Sequence, residues 1–362
     1  MRFARPGEGR VHLALRDLTT AATFFKKAAY GMSVSSNKSE GRHSCGLINH
    51  TEWPLLYAGL ARYYAHIVSL YERHKAYSYV VDFSRLSLQF IPNSNKTPDS
   101  DNNTNTDTDM NALLRTEMQS RLFSGATATS QFELAHATLV AMRRRHGDGG
   151  SDRAQALQHS CLQRLVHAMC DGLHAAELAF LPFPGPLGAA VDEILARRCH
   201  DAVDVVTGSP PYHQILYAWR VRRNDYRGAA AVLLDRIQKL RMRGEGDARL
   251  AAADGGGGGG AGGEGGDDGG VGGGRGDGGV DVLDTPVTRQ YLMLINVLSC
   301  VDQKQAWIAT SDGFGGRDDA RKKRKVVTLA DVRKEYQDEL DRIAAIQNNQ
   351  FGFAAGDEMD IL

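Results

Sequence analysis

The stretch from Pro211 to Leu240 limits the fold of this chain more than any other. It reads as a helix, a tight turn and a second helix. Ile215, Leu216 and Trp219 follow Tyr212 at helical spacing, and the pattern restarts after Asn224-Asp225. Tyr226, Ala229, Ala230, Leu233, Ile237 and Leu240 then form one apolar stripe on one helix face. Asp225 is placed to cap the second helix, because its carboxylate can accept an orphan backbone N–H. The small residues Gly228 to Ala231 allow a neighbouring backbone to come close. Such a hairpin cannot bury its apolar face alone. It must stack on similar hairpins, which predicts an all-α chain: an irregular α-solenoid with insertions between helices.

The rest of the chain supports this class. Strand-like alternation is nearly absent, and helical spacing recurs. A helix is expected from Asp17 to Tyr30, with Leu18, Ala21, Phe24, Phe25 and Ala28 on one side. A second follows Trp53-Pro54, with Leu56, Leu60, Tyr63, Tyr64, Ile67 and Tyr71 inward. After a turn at His74-Lys75, Tyr79, Val80, Phe83 and Leu86 continue the hairpin. Further helices are expected near 112–123, 130–145 and 153–170. Leu181-Pro-Phe-Pro-Gly-Pro186 is a stiff connector, since each proline fixes φ and removes a donor. It leads to a helix with Val191, Ile194, Leu195 and Cys199 inward, and a short one over 201–206. Thr285-Pro286 opens another, with Leu292, Ile295 and Leu298 as its face. The last has Leu329, Val332, Tyr336, Leu340 and Ile343 as its stripe, with Thr328 and Asp331 placed as a capping box.

These signals divide the chain into N-terminal hairpins (1–91), a polar insertion (92–110) and a helical solenoid (111–250). A glycine-rich linker (251–284), C-terminal helices with a basic loop (285–347) and a tail (348–362) follow. The polar insertion has too few apolar residues to offset the entropy of ordering. Eighteen of the 40 glycines lie between Asp254 and Val280. No Gly-Lys-Ser/Thr ending accompanies them, so they form no phosphate loop. The Arg275-Gly-Asp277 tripeptide within them is a chance match.

Lys plus Arg and Asp plus Glu both total 43. That balance calls for neither nucleic acid nor an anionic membrane. No apolar run approaches the roughly 20 residues needed to span a bilayer. The five cysteines are odd in number and widely spaced, as expected of free thiols in a reducing compartment. His167, Cys170 and His174, with Cys161 nearby, could share one side of a continuous helix. Zinc sites usually pair short-spaced ligands from two segments, so core thiols and surface histidines are the expectation. The pairs Asp192-Glu193 and Asp338-Glu339 read as solvated faces. No nucleophile elbow or Cys/His pair in a catalytic context is present. No enzyme, cofactor, metal or small-molecule substrate is expected. The run Arg321, Lys322, Lys323, Arg324, Lys325 has the form of a nuclear-import signal, or of a solvated loop.

Tyr212, Leu216, Tyr217, Ala218 and Trp219, then Asn224, Asp225, Tyr226, Arg227, Ala229 and Ala230, resemble a segment of the large Y-complex scaffold nucleoporins, the nucleoporin-120/nucleoporin-160 family. The stretch Tyr291 to Ile308 is similar to a family helix that ends in Ala-Trp-Ile at Trp307. The helix at Cys161–Cys170 and the connector at Pro182–Pro186 have counterparts upstream. The insertions resemble those of filamentous fungal proteins. The resemblance implies a packing motif formed by Tyr212, Leu216, Tyr217, Trp219, Tyr226, Ala230 and Trp307. It also implies a structural scaffold at the nuclear pore, supporting nucleocytoplasmic transport including mRNA export. The partners implied are other Y-complex nucleoporins, with no direct nucleic acid and a place peripheral to the nuclear envelope. Family members carry a β-propeller ahead of their helices, so an internal piece of such a protein is the expectation. A free-standing helical-repeat adaptor is the alternative.

Overall fold

The computed structural model describes residues 6–35, 59–92, 105–146, 152–206, 208–244, 285–310 and 325–356. These residues form thirteen helices and one two-stranded sheet. The helices are α1 (Pro6–Ala14), α2 (Leu18–Ser35), α3 (Leu60–Arg73), α4 (Tyr77–Phe90), α5 (Asn105–Ala128), α6 (Phe132–His146) and α7 (Asp152–Asp171). Then come α8 (Ala175–Phe180), α9 (Pro186–Asp201), α10 (Tyr212–Arg222), α11 (Tyr226–Met242), α12 (Pro286–Ser299), β1 (Trp307–Thr310), β2 (Lys325–Thr328) and α13 (Leu329–Gly356). The all-α expectation holds. Two compact units result: Met1–Met169 with Leu181–Leu187, and Cys170–Phe180 with Gly188–Leu362.

One turn geometry recurs between paired helices. Arg16, Lys75, Ser130 and Asn224 each adopt the left-handed conformation, with φ of 62°, 56°, 56° and 59°. Each donates its N–H three residues back, and the next residue donates five residues back, as in Asn224 N to Val221 O and Asp225 N to Arg220 O. The equivalent second bonds are Asp17 N to His12 O, Ala76 N to Tyr71 O and Gln131 N to Ala126 O. This closes the orphan carbonyls of one helix, and the same residue starts the next. Among the described residues the hairpin turn is therefore one device used four times.

In the first unit, α1 packs on α2, α2 on α3, and α3, α4, α5 and α6 follow one another. Phe25, Tyr63, Ile67, Tyr71 and Phe83 build its core. Tyr71 stacks on Phe83 at 5.3 Å and on Tyr79 at 4.9 Å. The tyrosine hydroxyls are not stranded: Tyr63 donates to Phe25 O and Tyr71 to Leu18 O. The tyrosine-rich hairpin thus uses its rings for packing.

The second unit places α11 against α10 and α12, and α12 against α13. Ala229, Ala230, Leu233, Ile237 and Leu240 are buried with Val287, Tyr291, Leu294, Leu298, Ile308, Val327 and Val332. Thr285 and Thr288 cap α12 reciprocally, with Pro286 at its first turn. Thr328 and Asp331 cap α13: Thr328 N donates to Asp331 Oδ2 at 2.8 Å and Asp331 N to Thr328 Oγ1 at 3.3 Å.

Five expectations need correction. Helix α1 lies ahead of the first one expected; Gly7 and Gly9 hide it, because glycine disfavours helix. Gly9 is needed there, since a Cβ would come within 2.7 Å of the Phe25 ring. Helix α5 begins at Asn105, inside the segment read as polar coil, because a first helical turn needs no apolar face. The buried face of α12 runs through Val287, Tyr291, Leu294 and Leu298, while Leu292 is exposed. Residues 202–206 are not helical: α9 ends at Asp201, and Asp204 Oδ1 accepts from Val206 N in a local turn. Finally, the helix expected to end in Ala-Trp-Ile stops at Ser299, and Trp307 begins a strand. Trp307 pairs with Thr328 and Ile308 with Val327. Ile308 and Val327 face the core as an opposed β-branched pair, which is what the strands gain.

Candidate functional site

The hairpin α10–α11 and its surroundings hold most of the residues marked out in the sequence. Asp225 caps α11, accepting from Gly228 N at 2.9 Å. A Cβ at 228 would overlap that carboxylate, so the glycine makes room for the cap. Trp219 is 1% exposed and Leu216 is buried beside it on α10. Ala230 is buried in the core of α11, with Tyr217 and Tyr226 partly buried against it. Tyr212 is half-buried at the start of α10. Trp307 is half-buried on β1, where Arg227 Nε donates to its carbonyl.

Polar ties that the sequence hid fix this hairpin to its neighbours. Arg220 forms a two-pronged pair with Asp192 of α9, at 2.8 and 2.7 Å, and donates to Gly228 O at 2.9 Å. His213, 4% exposed, donates to Asp235 Oδ2 at 2.9 Å, and Lys239 reaches the same carboxylate at 3.1 Å. Burial alone would push Asp235 up; the bonds from His213 and Lys239 outweigh it and hold its carboxyl below the usual range. Glu339 of α13 is 3% exposed and accepts from Arg241 at 3.0 Å and Arg342 at 2.8 Å. Here too burial opposes ionisation, and the two arginines more than offset it. Asp192 and Glu339 are therefore structural ion-pair partners, and the expectation of solvated faces fails for both. Adjacent acids on a helix diverge around its axis, so one of each pair can turn inward.

Around the hairpin turn, three arginines lie over aromatic rings. The Arg222 guanidinium sits 3.8 Å from the centre of the Phe180 ring, Arg223 3.1 Å from that of Trp219, and Arg227 4.0 Å from that of Trp307. Sequence spacing could not show this, because Phe180 and Trp307 come from distant elements. The clustering of arginines at the turn was the signal available.

Three of the four described cysteines are packing groups, and Cys300 is exposed. Cys161, Cys170 and Cys199 are buried, and burial pushes the thiols of Cys170 and Cys199 up to about 12. A thiol held protonated is a poor nucleophile. Helix α7 ends at Asp171 and Leu173 turns left-handed, so His174 leaves the helix that carries His167 and Cys170. His174 instead pairs with Glu177 at 2.8 Å. Among the described residues, no group of three or more His, Cys, Asp or Glu side chains is placed to hold a metal ion. None of their helices is long and apolar enough to cross a membrane. Arg321, Lys322, Lys323 and Arg324 lie outside the described residues, and Lys325 opens β2.

Stacked hairpins tied by part-buried ion pairs, with an aromatic-arginine surface at one turn, define a helical-repeat protein. Comparison with known proteins shows what the chain is similar to. Residues 8–171 match the family described as Nucleoporin Nup120, HEAT repeats. Nucleoporin NUP120 of Chaetomium thermophilum is 41% identical over 433 aligned positions, which cover 98% of this chain and 31% of that protein. Nucleoporin nup120 of Schizosaccharomyces pombe is 24% identical over 180 positions, covering 50% of this chain and 13% of that protein. Over nearly its whole length the chain is similar to nucleoporins of the Nup120 family. It spans less than a third of the length of these relatives.

Proposed function

We propose that this chain is a structural scaffold of the nuclear pore complex in the nucleus. The observation that carries the proposal is the match to nucleoporins over nearly the whole chain. The fold supports it: consecutive hairpins stack within each unit, and part-buried ion pairs such as Arg220–Asp192 and Arg241–Glu339 tie neighbouring helices. Such a body works mechanically, by holding other nucleoporins of the Y-complex at fixed positions. Nucleocytoplasmic transport, including mRNA export, depends on it indirectly. No reaction is assigned to it. Tyr212, Leu216, Tyr217, Trp219, Tyr226, Ala230 and Trp307 serve as packing residues of the scaffold, and the run from Arg321 to Lys325 as an import signal. The test is affinity purification of the tagged protein from its own cells, with imaging of its position. Recovery of other nucleoporins and a rim signal at the nuclear envelope are expected. A folded protein that recovers none and spreads through the cytoplasm overturns the proposal in favour of a free adaptor.

A further inference from the structure

We infer that the turn from Arg222 to Arg227 is a docking surface for an acidic segment of a partner protein. Three arginines and one aspartate fall within these six residues. The aspartate is committed to capping α11. Arg220, just before, meets a carboxylate of its own chain, Asp192, on both prongs. Arg222, Arg223 and Arg227 lie over rings, and Arg223 Nη1 also donates to Trp219 O at 3.4 Å and Arg227 Nε to Trp307 O at 3.3 Å. A guanidinium laid on a ring has its long side chain already ordered. The N–H groups on the outer edge of such a stack are the ones that can meet a carboxylate. Binding then costs less side-chain entropy than at a freely moving arginine. Phe180, 64% exposed, and half-buried Trp307 add apolar surface at two of the three stacks. Arginine and aromatic residues side by side are the composition of protein-interface hot spots. The local surplus of two positive charges suits a few carboxylates. A nucleic-acid backbone, whose binding depends on neutralising many phosphates, needs more.

This surface deepens the scaffold proposal, and depends on it only for which protein supplies the acids. The experiment uses the whole chain and a labelled 20-residue peptide of alternating Glu-Glu-Leu units, with fluorescence anisotropy as the readout. A Gln-Gln-Leu peptide and a 20-nucleotide single-stranded DNA are run beside it. Saturable, salt-weakened binding of the acidic peptide is expected, reduced about tenfold or more in Arg222→Glu/Arg227→Glu. The milder Arg222→Gln/Arg227→Gln, with an unchanged melting curve, separates lost binding from lost folding. Equal binding to the Gln peptide, tighter binding to the DNA, or no effect of either variant overturns the inference. In cells, the Arg222→Glu/Arg227→Glu protein should lose at least one nucleoporin that the wild type recovers. If the wild type recovers none while the peptide still binds, the scaffold proposal falls and the surface stands.

Discussion

Trp219 and His66 show how single side chains hold this architecture. Trp219 sits at 1% exposure under the Arg223 guanidinium. Trp219→Ala should cost roughly 3–5 kcal/mol, the range for truncating a large core aromatic; an unchanged thermal melt would contradict that. His66 accepts from Arg10 Nη2 at 2.8 Å, which ties α1 to α3 and requires a neutral imidazole. Burial first, then the nearby charges of Arg10 and Arg73, pull its pKa below the ordinary value. The unfolded chain therefore takes up this proton at a higher pH than the folded one. Stability should fall as pH drops below about 6.5, and level off below the folded value. His66→Gln keeps an acceptor without titrating. Its denaturation midpoint should fall less with acid than the wild type's across that window, and parallel curves would remove His66 as the source.

At the scale of elements, the repeated hairpin turn carries a measurable cost. Lys75 holds φ at 56°, a conformation that L side chains adopt at about 1–2 kcal/mol. Lys75→Gly removes the Cβ conflict but adds unfolded-state freedom. A net gain of about 0.5–1 kcal/mol in urea denaturation is expected, and a loss would mean that the Lys75 side chain itself holds the turn. These turns were hard to read in advance. Of Arg16, Lys75, Ser130 and Asn224, only Asn224 is a residue type that favours the left-handed region. The helices themselves were legible where the apolar period was strong, as in α3, α4 and α11. Helix α12 was placed correctly but rotated, because Leu292 and Ile295 mimic a face that Tyr291 and Leu294 occupy.

For the whole molecule, helix pairing tests what the glycine-rich segment contributes. Helices α11 and α12 pack directly on one another although 43 residues, 243 to 285, separate them. Deleting Gly255–Gly279 leaves ample chain to join them, and loop closure depends only weakly on length. Helical content by circular dichroism and the melting midpoint should stay nearly unchanged; loss of cooperative folding would show that the segment is part of the core. Periodicity, caps and prolines were enough by themselves to determine an all-α hairpin stack, because they act between residues near in sequence. Asp225, the Thr328–Asp331 box and the stripe of α11 were of this kind. Only the tertiary structure decided that Glu339 and Asp192 turn inward, that Trp307 enters a strand opposite Thr328, and that Phe180 and Trp307 meet the arginines of one turn. Each of those outcomes depends on partners far away in the chain, whose distance no local pattern encodes.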